Sequence, residues 1–127
     1  MNQAIIGLGS NIAPQKNIKK AKSILSQTFR IVAESRFKVT KPIGYIRQPD
    51  FTNGSVFIET EIGIGELKAA LKAIESKLGR DSLKEPFGPR TIDLDIVVWN
   101  HRIVDEDFYR RAFLKRSVLE LIPDLKY

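Results

Sequence analysis

An α+β fold, in the order strand, helix, strand, strand, helix, strand, is predicted by three features of this sequence. Two segments carry residues at helical spacing: Ile18, Ala21, Ile24, Leu25 and Thr28 in one, and Leu67, Ala70, Leu71, Ile74 and Leu78 in the other. Four further segments read as strands, either as apolar runs or as alternating patterns. The Gly, Pro and Asn clusters fall between these segments, where turns belong. Two amphipathic helices on one side of an antiparallel sheet in this order is the ferredoxin-like arrangement, here followed by a C-terminal helix.

The first strand, Gln3 to Leu8, is closed by Gly9-Ser10-Asn11, and Pro14 suits the first turn of the helix that follows. Ile31, Ala33, Phe37 and Val39 alternate along a second strand, and Phe51 to Thr60 supplies a third. The loop between them, Lys41 to Asp50, is long for a hairpin and marks a functional segment. Gly79 is placed to end the second helix as a C-cap residue. A polar loop, Asp81 to Phe87, then leads to a buried strand from Ile92 to Trp99, and a basic helical tail runs from Glu106 to Leu121. The chain shows no internal repeat, so residues 1–127 are expected to form one domain.

Composition removes several function classes. There is no cysteine, which excludes a disulfide framework and thiolate metal sites, and the single histidine, His101, argues against zinc sites and serine–histidine triads. Met1-Asn2-Gln3 runs directly into an apolar strand, which predicts no secretory leader, and no apolar run is long enough to span a bilayer. A cytoplasmic, soluble monomer with no membrane partner is the expectation. Lys and Arg outnumber Asp and Glu by 21 to 15, giving a net charge of +6 that favours anionic partners.

The chemistry concentrates in Gly-Pro-Arg-Thr-Ile-Asp-Leu-Asp, residues 88 to 95. Side chains alternate along a strand, so Asp93 and Asp95 share a face about 7 Å apart, with Ile92, Leu94, Ile96 and Val98 on the other. Two carboxylates that close repel unless a cation sits between them. With no His or Cys nearby the fitting ion is hard and oxygen-seeking, and Mg²⁺ held by carboxylates and substrate phosphates is the common case. A solvated face on a half-covered strand is the bland alternative for the same triplet. Arg90 favours the phosphate reading, because a planar guanidinium matches two phosphate oxygens at once.

Four stretches in register resemble 6-hydroxymethyl-7,8-dihydropterin pyrophosphokinases, the folate-pathway enzymes that move pyrophosphate from ATP to a pterin alcohol. They are Gly-Leu-Gly-Ser-Asn at 7 to 11, Gln-Pro-Asp-Phe-Thr-Asn at 48 to 53, Ile-Glu-Ser-Lys-Leu-Gly-Arg at 74 to 80, and Phe-Gly-Pro-Arg-Thr-Ile-Asp-Leu-Asp-Ile at 87 to 96. The resemblance implies a ferredoxin-like fold and two Mg²⁺ ions on Asp93 and Asp95, with ATP as co-substrate. It assigns ATP to Arg80, Arg90 and Ile96, with the two arginines Arg80 and Arg90 clamping phosphates during catalysis; Arg110 and Arg111, on the basic tail beside Phe113, are the further cations available to ATP, Arg111 being taken as the ATP-binding one. It also implies a pterin held between Phe51 and Phe113, its edge read by Asn53 and the backbone around Thr40 to Ile43, with Gly9 allowing close approach and Phe87 as an aromatic wall. Glu75 reads as a helix-end residue supporting the site, and Trp99 as core or edge packing.

The sequence departs from that family on the ATP side. After Ile103-Val104 the family continues through a segment with a Pro-His pair, whereas Asp105 to Tyr109 leads here almost at once into Arg110-Arg111-Ala112-Phe113. His101 precedes that segment and reads as an exposed turn residue. Phe87 stands where tryptophan is common, and Asp81 to Phe87 holds one cation, Lys84. Two alternatives remain. One is a degenerate paralogue that binds pterin or nucleotide with little turnover. The other is an RNA-binding domain of the same βαββαβ order, but no strand carries its aromatic RNP pattern, so nucleic acid is not an expected partner.

Overall fold

In a computed structural model of the chain, residues 1–44, 47–79 and 90–127 are described. The elements are β1 (Asn2–Ser10), α1 (Pro14–Thr28), β2 (Arg30–Glu34), β3 (Lys38–Thr40), β4 (Phe51–Thr60), α2 (Ile64–Lys77), β5 (Asp93–Trp99), β6 (Arg102–Ile103), α3 (Asp107–Arg110) and α4 (Ala112–Leu121). Every strand pair is antiparallel, and the sheet runs β2-β4-β1-β5-β6 with β3 also on β4. The long central pair is β1 with β4, in unbroken register from Asn2 opposite Thr60 to Ser10 opposite Thr52.

Both faces of the sheet are covered. Ile18, Ala21 and Leu25 of α1 and Leu67, Leu71 and Ile74 of α2 close one core with Ala4, Ile6, Leu8, Val56, Ile58 and Leu94. These are among the residues that helical spacing marked as inward; Thr28, marked with them at the end of α1, is exposed. On the opposite face Ile5, Val97 and Val98 pack with Phe108, Val118, Ile122 and Leu125. The helix pair therefore takes one side, as read from the sequence, and the C-terminal helix α4 takes the other. This double burial is why β1 runs Ala4-Ile5-Ile6 without a polar interruption.

Two β-bulges correct the sequence reading. β5 slips by one residue against β1 between Ile5 and Ile6, so that Ile96 faces Ile6 while Val98 faces Ile5. The extra residue, Val97, shifts the alternation, and Val98 joins the α4 core instead of the face of Leu94 and Ile96. A like slip between Ile31 and Ala33 bends β2 along the sheet edge. Here the predicted second strand is two short ones flanking Ser35 to Phe37, both on β4. Ile31 and Phe37 reach the core, whereas Ala33 is exposed and Val39 is 68% exposed. Phe37 lies flat against Gly54, where a Cβ would stand 2.6 Å from the ring.

The caps agree with expectation. Pro14 opens α1, and Gly79 follows α2 at φ +97° with its N–H on the Ser76 carbonyl at 3.1 Å. Asn100 and His101, at φ 48° and 67°, form a two-residue turn of the type I′ class that pairs Trp99 with Arg102. His101 is exposed there, its Nε2 3.0 Å from Gln3 Oε1, and Trp99 packs partly buried at the edge of the helix-side core. The predicted tail helix is broken at Arg111, whose extended backbone (φ −118°, ψ 108°) separates α3 from α4.

Candidate functional site

The start of β5 sits beside the glycines of β1. Asp93 pairs with Gly9 and Asp95 with Gly7, so no β1 side chain crowds either carboxylate. Both aspartates line one cleft of about 230 Å³, with Val97 on the same side. Their shared face is thus as the two-residue period requires, and the bulge lies beyond them. Arg90 lies against this pair, only 6% exposed, with Nε 3.8 Å from Asp93 Oδ1.

The far wall of the cleft comes from β3, β4 and the loop between them. Thr40, Ile43, Phe51 and Asn53 line it. Phe51 is half-buried, so its ring flanks the cleft and is not core. Asn53 Nδ2 donates to Thr40 Oγ1 at 2.5 Å, and a Cβ on Gly9 would lie 2.7 Å from Asn53 Oδ1. Glycine at position 9 is therefore a condition for the amide to sit where it does. The third wall is the start of α4: Arg111, Phe113, Leu114 and Ser117. Phe113 is likewise half-buried and borders the cleft. Residues from positions 9, 40, 43, 51, 53, 90, 93, 95, 111 and 113, all singled out in the sequence, meet around one cavity.

Ile96 does not join them. It points to the other side of β5, into a second cleft of about 460 Å³ between α2, β5 and residues 104–110. The floor of that cleft is apolar, with Ile64, Leu71, Leu94, Ile96 and Val104, and Lys68 and Lys72 stand on its helix wall. Asp95, Asp105 and Asp107 line both clefts. Arg110 borders the second cleft, its guanidinium 2.9 Å from Glu106 Oε2 on an exposed surface. Arg80 and Phe87, and the loop Asp81 to Phe87, lie outside the described residues. Lys68, Lys72, Asp105 and Asp107 were not picked out from the sequence. Lys68 and Lys72 are one turn apart beside the inward stripe of α2, a spacing that could have found them.

Two buried polar side chains hold the carboxylate strand. Glu75, 5% exposed, reaches from α2 to accept the Leu94 N–H at 2.8 Å, between the two aspartates. Its place near the helix end was read from sequence, and its burial was not. Asn11, 3% exposed, accepts the Arg90 N–H on Oδ1 at 2.7 Å and gives its own N–H to the Arg90 carbonyl at 3.1 Å. Among the described residues, no three His, Cys, Asp or Glu side chains converge as a metal cage. None of the described helices is long and apolar enough to cross a membrane.

The family profile of 7,8-dihydro-6-hydroxymethylpterin-pyrophosphokinase matches residues 5–123. The chain is 34% identical to the 2-amino-4-hydroxy-6-hydroxymethyldihydropteridine pyrophosphokinase of Haemophilus influenzae, over 98% of this chain and 84% of the relative. It is 33% identical to the protein of that name from Pseudomonas aeruginosa (99% and 84%) and 32% identical to the one from Bacillus subtilis (98% and 81%). The Haemophilus alignment runs to 136 positions against 127 residues here, so gaps open on the side of this chain. With a profile match across nearly its whole length and relatives of this similarity, the chain belongs to the 7,8-dihydro-6-hydroxymethylpterin-pyrophosphokinase family.

Proposed function

We propose that this protein transfers pyrophosphate from ATP to the hydroxymethyl group of 6-hydroxymethyl-7,8-dihydropterin, releasing AMP, as a cytoplasmic step in folate biosynthesis. The observation that carries this reading is Asp95, which stands on the wall between two clefts of different character. One has aromatic faces and a fixed amide, suited to a flat, polar-edged ring. The other has an apolar floor and lysines, suited to a nucleotide. A reaction that joins two such substrates needs its charge control where they meet.

Asp93 and Asp95 offer an all-oxygen donor pair, one exposed and one half-buried, with space opposite both at glycines. That donor set fits Mg²⁺, and since only two carboxylates converge, phosphate and water oxygens would complete the coordination of two ions. Such ions supply neutralisation of phosphate charge, and phosphoryl transfer then needs positioning more than a protein nucleophile. The chain's own residues do the positioning. Phe51 and Phe113 flank the pterin ring, a contact worth about 1 kcal/mol beyond area burial. Asn53, steadied by Thr40, reads its edge together with the backbone of residues 40–43. Arg90 and Arg111 face the transferring phosphates from opposite walls, and Arg80 is assigned to the same role. Ile96 and the apolar floor take the base. The hydroxymethyl oxygen loses its proton to solvent and forms a bond to the β-phosphorus as the bond from that phosphorus to the α-phosphate oxygen breaks, and AMP leaves.

The order β2-β4-β1-β5, with α1 and α2 on one face, supports the ferredoxin-like arrangement for this enzyme. α4 and Phe108 cover the opposite face, which an RNA-binding domain would present to its ligand, and this favours small-molecule substrates. The short link from Ile103 to Phe113 favours a second reading, a paralogue that binds pterin with little turnover. Incubation with ATP, Mg²⁺ and the hydroxymethyl dihydropterin decides between them. AMP release supports the pyrophosphokinase, pterin binding without AMP supports the paralogue, and ADP release would sink both.

A further inference from the structure

The motif Gly-Leu-Gly-Ser-Asn ends on Asn11, whose side chain lines neither of the two clefts described and yet spends both its polar atoms on segments that build the first. Its Nδ2 donates to Gln48 Oε1 at 2.7 Å and to the Pro49 carbonyl at 3.0 Å. Oδ1 and the backbone N–H take both polar groups of the Arg90 backbone, at 2.7 and 3.1 Å. Those partners lie 37, 38 and 79 residues away in sequence. The amide can be seated one way only. Arg90 N–H is solely a donor and the Pro49 carbonyl solely an acceptor, so a flipped amide would set hydrogen against hydrogen and oxygen against oxygen.

We propose that Asn11 is a positioning residue that locks the pterin wall to the phosphate wall of the cleft. Gln48 and Pro49 lead through Asp50 into Phe51 and Asn53, while Arg90 leads through Thr91 and Ile92 into Asp93. One buried side chain thus fixes the spacing between the ring-binding residues and the arginine beside the carboxylates. Gly9 of β1 already pairs with both Asn53 and Asp93, so cutting the tie loosens the loop before Phe51 against Arg90 while the strands stay joined, and misplacements of about 1 Å can cost on the order of a hundredfold in rate. This inference rests on the pyrophosphokinase reading for its kinetic arm, whereas its binding arm needs only that the cleft take a pterin.

The test compares Asn11→Ala and Gln48→Ala with the wild type. Pterin affinity is measured by calorimetry without ATP, and kcat and KM for each substrate by AMP release, in samples whose circular dichroism melts lie above the assay temperature. Asn11→Ala is expected to weaken pterin binding and to lower kcat, each by about tenfold or more. Gln48→Ala, which leaves both Arg90 bonds in place, is expected to weaken pterin binding with a smaller fall in kcat. A residue that only supports folding would reduce the number of pterin sites per chain at unchanged affinity, and that result overturns the proposal. So does Asn11→Ala with wild-type affinity and kcat. If Asn11→Ala does not fold, wild-type pterin affinity in Gln48→Ala overturns it instead. Wild-type protein that binds the pterin but releases no AMP would sink the parent reading and leave the affinity comparison to judge Asn11.

Discussion

Asp93 and Asp95 differ in their surroundings although they share a strand face. Asp93 has the buried Arg90 guanidinium beside it, while Asp95 is exposed where the two clefts meet. Asp95→Asn and Asp93→Asn are each expected to abolish AMP release while shifting stability by no more than about 0.5 kcal/mol at the exposed position. Wild-type turnover in either variant, measured at saturating ATP and Mg²⁺, would remove the metal assignment. On the pterin side, Asn53 is boxed between Gly9 and Thr40. Truncation to alanine leaves Thr40 and the ring edge without their amide partner, which costs about 1 to 3 kcal/mol for a buried polar group. Calorimetry of pterin binding to Asn53→Ala reads that loss directly, and unchanged affinity would mean the ring lies elsewhere.

At the scale of elements, the break between α3 and α4 assigns two neighbouring arginines to different surroundings. Arg110 ends α3 in an exposed ion pair with Glu106, and exposed pairs of this kind contribute about 0 to 1 kcal/mol. Arg111 sits at the break, half-buried on the wall of the first cleft. In the proposed reaction Arg111 is the α4-side cation, among the described residues lining the first cleft, that would face the phosphates. A lost charged hydrogen bond is worth about 1.5 to 3 kcal/mol, so Arg111→Ala is expected to lower kcat/KM for ATP by roughly tenfold to a hundredfold. Arg110→Ala should stay close to wild type in the same assay. Equal effects from the two would show that the break does not sort them. Helix α2 contributes in another way, since Glu75 on its buried face holds Leu94 and so fixes β5 between the two aspartates.

For the whole molecule, one exposed contact ties the edge of the sheet to α4. Glu120 accepts the Arg36 N–H at 2.6 Å and lies 3.1 Å from its Nε, and the backbone bond first, then the side-chain bond, hold the Glu120 carboxyl below its ordinary value of 4.5. A carboxyl whose pKa is lower folded than unfolded stabilises the protein fully above the unfolded value and progressively less as pH falls through the folded one. Melting temperatures followed from pH 7 down to about pH 3 should therefore drop more steeply below pH 4.5 in wild type than in Glu120→Gln. Parallel curves would show that the contact contributes nothing in solution.

What the sequence determined by itself is what the backbone repeats locally. Period two put Asp93 and Asp95 on one face, period 3.6 picked out Leu25, Leu71 and Ile74 as inward, and Pro14 and Gly79 marked helix ends. These follow from bond geometry within a few residues and need no partner strand. The motifs around positions 11, 53, 75 and 90 supplied the family resemblance, and with it the residues of the first cleft. Tertiary structure decided the rest, because it depends on pairing between distant segments. One extra residue in β5 against β1 turned Val98 to the other core, a shift that no pattern within β5 reveals. Ile96 opened on a second cleft because α2 and residues 104–110 stand on that side of the strand. Helix α4 took the second face of the sheet, which brought Phe113 to the same cleft as Phe51. Asn11 acquired its four bonds only once β1, the loop before β4 and the approach to β5 were packed together, since hydrogen bonds across 37 to 79 residues are fixed by the fold and not by neighbours in the chain.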